Sequence, residues 1–211
     1  MWIDSHAHLY ADAFDKDRHE MLQRTRDEGI EAVVLPNIDT ESVDKMFKLT
    51  DQNPELLYPA VGLHPCSVRA DYQEQLERLK PYLDREKVVA IGETGLDYYW
   101  DSSTAELQQK ALRIQIEWAL DRNLPIILHA RDSLDDLIDL ISEYKDTALQ
   151  GVFHCFTGTP EQGRRIADLD FYMGIGGILT FKNSGLDQVV GELPPDRVLL
   201  ETDAPYLSPT P

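Results

Sequence analysis

A regular alternation constrains this chain more than any other feature. Short β-branched, apolar runs recur along its whole length, each followed by a longer stretch of helical period. Such a pattern reads as βα units feeding a parallel sheet, because parallel neighbours need a crossover, usually a helix, to return the chain to the same edge. The runs that qualify as strands are residues 1–5, 32–36, 57–62, 88–92, 126–129, 151–154, 171–174 and 198–201. Those that qualify as helices are 16–28, 41–52, 73–83, 104–122, 134–144, 160–168 and, more weakly, 186–192. Two helices carry start signals. Ser103 and Glu106 have capping-box spacing, and Thr159, followed by Pro160 and Gln162, places proline at the first helical position after a cap.

Eight strands with seven intervening helices is the count of an α/β fold of the TIM (β/α)₈ barrel type, lacking its last C-terminal helix. The length of 211 residues suits one such barrel over residues 1–211. The chain stops just after the eighth strand, so the outer faces of strands eight and one are expected to be bare. Either the natural chain is longer or a partner covers that seam, and we favour the longer chain.

In a barrel of this kind, function sits where strands end and βα loops begin. Five of the six histidines fall there: His6, His8, His64, His129 and His154; His19 lies inside a helix. Side chains alternate along a strand, so Asp4, His6 and His8 share a side, and two imidazoles so placed can converge on one cation. Glu93 follows an apolar run and is flanked by Gly92 and Gly95. A carboxylate there is a buried ion pair, a cap for loop N–H groups, or a ligand able to bridge two cations. Glu201 and Asp203 share a face at the eighth strand, Asp203 at the mouth and Glu201 one layer deeper. Arg131 has the strand parity of His129 and either contacts an anion or pairs with one of the many acids. Imidazole and carboxylate without thiolate suit Zn²⁺, Mn²⁺, Fe²⁺ or Mg²⁺. Cys66 and Cys155 read as packing residues, which points to a reducing, cytoplasmic setting. No apolar run is long enough for a membrane helix, and no secretory leader is recognisable.

These residues stand in motifs that resemble the TatD family of metal-dependent deoxyribonucleases, among the amidohydrolase-like barrels. The resemblance runs over Ile3-Asp4-Ser5-His6-Ala7-His8-Leu9, Gly62-Leu63-His64-Pro65, Ile91-Gly92-Glu93-Thr94-Gly95-Leu96-Asp97-Tyr98, Leu128-His129-Ala130-Arg131, His154-Cys155-Phe156-Thr157-Gly158 and Leu200-Glu201-Thr202-Asp203-Ala204-Pro205-Tyr206-Leu207. It implies a barrel with two divalent cations, Mg, Mn or Zn. One would be held by His6, His8, Glu93 and Asp203, the other by Glu93, His129 and His154. It also implies phosphodiester hydrolysis of DNA from the 3′ end by a metal-activated water. Asp203 would then act as general base, with Glu93, His64 and Glu201 also in the catalytic set. Family members continue past the Pro-Tyr-Leu motif by a few tens of residues.

Charge pulls the other way. The chain has 38 acidic against 20 basic residues, a formal net charge of −18, and such a surface repels a nucleic-acid backbone unless cations or a local basic group intervene. That balance keeps a second expectation open, a hydrolase of the same barrel acting on a C–N or ester bond in a small molecule. Tyr98, Tyr99 and Trp100 after the fourth strand either pack within their loop or stack on a base.

Overall fold

A computed structural model describes residues 2–210. Its strands are β1 (Trp2–Asp4), β2 (Ile30–Pro36), β3 (Leu57–Val61), β4 (Ala90–Asp97), β5 (Ile126–Arg131), β6 (Gly151–Phe153), β7 (Tyr172–Ile175) and β8 (Val198–Leu200). They pair in parallel and in chain order. The connecting helices are α1 (Arg18–Asp27), α2 (Val43–Gln52), α3 (Tyr72–Leu79), α4 (Ala105–Arg122), α5 (Leu134–Ser142), α6 (Pro160–Asp168) and α7 (Leu186–Val190). The expected α/β barrel is therefore the observed one. The first expected strand opened on Met1, which lies outside the described residues.

The ring is nearly closed. Among the described residues no ladder joins β8 to β1, yet the chain just beyond both strands is stitched together. Ser5 N donates to Leu200 O (3.1 Å), Asp203 N to His6 O (2.9 Å) and His8 N to Ala204 O (2.7 Å). The buried Asp4 carboxylate accepts from Thr202 N (3.0 Å) and Thr202 Oγ1 (2.7 Å). Asp4, placed by parity beside His6 and His8, thus serves the seam. The outer side of that seam is bare, as expected: Trp2 is 58% exposed, Ile3 53% and Leu200 52%.

Strand alternation separates two apolar layers. Val33, Leu35, Ile126, Leu128 and Phe153 belong to the main core. Ala60, Ala90, Ile127 and Val152, with Val34, Tyr172 and Leu199 against them, form a separate, smaller cluster that floors the barrel. Two residues further along the same faces come His129 after Ile127, His154 after Val152 and Glu201 after Leu199. The period of two therefore lifts a ring of polar side chains above an apolar floor.

Two local expectations need correction. β4 does not end at Gly92 but runs to Asp97, with every residue buried. Glycine is required within it: a Cβ on Gly95, whose φ is +137°, would lie 2.1 Å from His129 O on β5. The Ser103–Glu106 capping box does not form. Asp101 instead accepts from Ser103 N (3.0 Å) at a short 3₁₀ turn, and α4 starts after Thr104 with no side-chain cap. The Thr159–Gln162 box at α6 is present in both directions. Among the described residues no helix is long and apolar enough to cross a membrane.

Candidate metal centre

The strand ends bring all the expected site residues to one mouth, with Glu93 at its centre. Glu93 Oε2 lies 3.3 Å from Nε2 of both His6 and His8. Its Oε1 lies 3.0 Å from His129 Nδ1, 3.1 Å from His154 Nε2 and 3.2 Å from His64 Nε2. Asp203 Oδ1 stands 3.6 Å from Nε2 of His6 and of His8, and those two nitrogens are 3.1 Å apart. Each oxygen of one carboxylate therefore faces its own group of ring nitrogens.

Hydrogen bonds behind the rings decide what those nitrogens offer. Tyr10 Oη donates its one proton to Pro36 O (2.7 Å), so its contact with His8 Nδ1 (3.0 Å) must be accepted from the ring. A neutral His8 then presents an Nε2 lone pair to the site. Burial brings His6 down to about 4, so its ring is neutral at neutral pH. His129 Nε2 donates to Asp97 Oδ2 (2.9 Å), which turns Nδ1 toward Glu93. That carboxylate–histidine arrangement fixes the tautomer and orientation of a metal ligand. Burial works to raise Asp97, but the hydrogen bond and charge of His129, with the Trp100 N–H and the Cys66 thiol, together outweigh it and hold the carboxyl at about 2.

His64 differs. Cys66 N donates to its Nδ1 (3.0 Å), so a neutral ring carries its proton on Nε2, aimed at Glu93 Oε1. Burial lowers its pKa and keeps it neutral. Proximity alone groups His64 with Glu93 and His129 as a cation site. The Cys66 N–H decides against that grouping and leaves His64 a hydrogen-bond donor.

The remaining donors fit divalent cations. Atoms about 2.1 Å from one cation at tetrahedral angles lie about 3.4 Å from each other, and the His6, His8, Glu93 and Asp203 atoms are spaced around that value. His6, His8 and Asp203 form one buried candidate set, and His6, Glu93 and His154 a second. Without a cation, the His8 Nε2 lone pair confronts the Glu93 and Asp203 oxygens in a buried place, which is costly. The buried polar atoms with no partner among the described residues, His6 Nδ1, His154 Nδ1 and Glu201 Oε2, also cluster here.

Glu201 sits behind His154. Its Oε1 accepts from Cys155 N (2.6 Å) and lies 3.4 Å from His154 Nδ1. Burial raises the Asp203 carboxyl to about 6, which leaves it mostly ionised at neutral pH. Asp203 and Cys155 take positive φ (55° and 49°), each turning the chain sharply just past a strand end; such local strain is typical of functional sites. Burial pushes both cysteine thiols up to about 12, so neither supplies a thiolate at neutral pH.

Several participants escape a reading of the sequence. Tyr10 and Asp97 are hidden because their role is to orient another side chain. Gln108 and Gln115, seven residues apart on α4, are buried against the strand ends. Gln115 accepts from Leu63 N (2.7 Å) and donates to Thr94 Oγ1 (2.7 Å), and Gln108 accepts from Asp97 N (2.8 Å) and donates to Asp97 O (2.9 Å). Arg131 makes no ion pair among the described residues; its guanidinium lies over Tyr99 and Trp100.

Known proteins share this arrangement of sequence. The family profile described as "TatD related DNase" matches residues 3–211. The uncharacterized metal-dependent hydrolase YabD of Bacillus subtilis is 40% identical over 212 residues, covering 100% of this chain and 83% of that protein. A protein of Cronobacter sakazakii named 3′-5′ ssDNA/RNA exonuclease TatD is 33% identical, over 98% of this chain and 79% of its own length. Among solved structures, the TatD homologue YjjV of Escherichia coli superposes with a TM-score of 0.91 at 33% identity, covering 99% of this chain and 81% of that one. With a whole-length profile match and relatives at this level of identity, the chain belongs to the TatD-related DNase family of metal-dependent hydrolases.

Proposed function

We propose that the protein is a deoxyribonuclease that removes nucleotides from the 3′ end of DNA at a two-cation centre. The observation that carries this reading is Glu93, whose two oxygens address two separate groups of nitrogens. In it, His6, His8, Glu93 and Asp203 hold one cation, and Glu93, His129 and His154 hold the other. The cations would supply an activated water and neutralise charge at the phosphoryl oxygens. Asp203, whose Oδ1 faces His6 and His8, keeps its other oxygen for the proton released as water attacks. His64 carries its N–H 3.2 Å from Glu93 Oε1, a donor beside the site suited to an oxygen that gains charge. Glu201 stands behind His154, 3.4 Å from the ring's rear nitrogen, where a carboxylate is suited to orient the ring.

The test uses end-labelled single-stranded DNA with Mg²⁺ or Mn²⁺, the wild-type chain and Asp203→Asn. Laddering from the 3′ end that vanishes in the variant and in chelator supports the proposal; full cleavage in chelator refutes it. The net charge of −18 favours a second reading, hydrolysis of a C–N or ester bond in a small substrate. Intact metal binding without turnover of DNA would point there.

A further inference from the structure

The loop leaving β4 carries two aromatic side chains that the fold does not use. Trp100 is 70% exposed and Tyr99 52% exposed. Tyr98, the third of the run, is half-buried with its hydroxyl accepting from Gln109 Nε2 (3.3 Å). Arg131, at the end of β5, places its guanidinium carbon 3.7 Å from the centre of the Tyr99 ring and 5.4 Å from that of Trp100. Acids outnumber bases almost two to one in this chain, 38 to 20, and Arg85, Arg113 and Arg165 each pair with a carboxylate. Arg131 pairs with none among the described residues. Held over a ring and free of a carboxylate, a guanidinium keeps N–H groups available. It also borders a cavity of about 630 Å³ that reaches His154 and is lined by Ser133, Thr157 and Gln162.

This cluster is held at a fixed step from the metal centre. Asp97 Oδ1 accepts from Tyr99 N (3.0 Å) and Trp100 N (3.3 Å), while Asp97 Oδ2 holds His129. One buried carboxylate therefore ties the aromatic loop and a site histidine together.

We propose that Tyr99, Trp100 and Arg131 form a subsite for one unpaired nucleotide beside the scissile phosphate. The base stacks on the exposed aromatic faces, and the guanidinium edge donates to a phosphate oxygen. The inference rests on the nuclease reading above and adds to it how an acidic protein can hold its substrate. Stacking is indifferent to base identity, because every base has a π-face, and it requires a base already out of its duplex. The guanidinium supplies the local positive charge that the overall composition denies.

The test compares two single-stranded DNA oligonucleotides, one intact and one abasic at its three 3′-terminal nucleotides, with Mg²⁺ and the wild-type, Trp100→Ala and Arg131→Gln proteins. The readout is the ratio of kcat/KM on the intact strand to that on the abasic one. Trp100→Ala is expected to reduce this ratio about tenfold, mainly through KM, as loss of one stacking contact does. Arg131→Gln is expected to lower kcat/KM on both strands alike, because phosphate is common to them. Quenching of tryptophan fluorescence by the intact strand and not by the abasic one, in chelator-treated wild type and absent in Trp100→Ala, gives a second readout free of turnover. If the wild type cleaves DNA and Trp100→Ala leaves the ratio unchanged, the subsite is overturned and the nuclease reading stands. A wild-type chain that cleaves neither strand overturns both.

Discussion

Asp97→Asn probes the orientation of the metal centre with almost no change of shape. Three N–H groups converge on the Asp97 carboxylate: His129 Nε2–H at one oxygen, Tyr99 N–H and Trp100 N–H at the other. An amide has a single acceptor oxygen. In one orientation its NH₂ confronts the His129 N–H; flipped, it confronts the two loop N–H groups. A lost hydrogen bond to a charged group costs about 1.5–3 kcal/mol. Removing the partner that orients a liganding histidine lowers metal affinity by about 10–100-fold, or about 1.4–2.7 kcal/mol, so the two estimates agree. Calorimetric titration of chelator-stripped protein with Mn²⁺ or Zn²⁺ reads the effect. The step assigned to His129, His154 and Glu93 is expected to weaken by that factor, and the step assigned to His6, His8 and Asp203 to stay within about threefold. Equal weakening of both steps would show a general disturbance of the barrel, and no weakening of either would show that Asp97 does not orient a ligand. Either result removes Asp97 from the metal centre.

Other perturbations follow from the same geometry. Tyr10→Phe strips His8 Nδ1–H of its acceptor and Pro36 O of its donor, so urea unfolding should show a loss of about 1–3 kcal/mol and metal titration a weaker first step. Gly174→Ala would put a Cβ 2.1 Å from Glu201 Oε2, forcing that buried carboxylate off Cys155 N. Overpacking of this kind costs about 1–3 kcal/mol, and an unchanged urea midpoint would contradict the packing described. Acid unfolding of chelated protein should carry the signature of Asp97, held at about 2 against an ordinary 3.8. Its folded value is depressed, so its contribution is complete above the unfolded value and is lost as pH falls through about 2. The stability difference between wild type and Asp97→Asn should therefore shrink as the pH is lowered from 4 towards 2; a constant difference would remove Asp97 from the acid transition.

Much of this was legible because strand periodicity is simple. An apolar residue at 127, 152 or 199 faces the barrel floor, and the polar residue two places on must then face the mouth, so His129, His154 and Glu201 were readable without coordinates. The end of β4 was not, because Gly92 and Gly95 break the apolar pattern at the point where backbones approach closely. Asp97 was lost with it. Had the strand been extended, the parity of 93, 95 and 97 would have placed its carboxylate on the face of Glu93. The Ser103–Glu106 box failed because a local spacing competes with neighbours, and Asp101 reaches the free N–H first. Helical spacing puts Gln108 and Gln115 on the buried face of Ala111, Leu112 and Ala119, but it does not say what a buried amide there bonds to. Their partners are main-chain groups of distant strands, which no local pattern announces. Arg131 was undecided from sequence because pairing and stacking are equally open to an arginine among many acids.

The clasp between Asp4 and Thr202 spans 198 positions of chain. It also delivers His6 and His8 to the same place as Asp203, so the first cation set draws on both sides of the β1–β8 seam, with Glu93 supplied by β4. A growing or unfolding chain cannot hold half of that set in working geometry. Closing so long a loop is slow and entropically costly, and nearly every βα unit must be in register before β1 and β8 meet. Any cation captured there would act as a lock applied last. Its free energy of binding would weigh against opening of the seam, and the weight would grow with the logarithm of free metal concentration. Metal supply would then set how often the barrel opens at β1 and β8, besides enabling chemistry at its mouth.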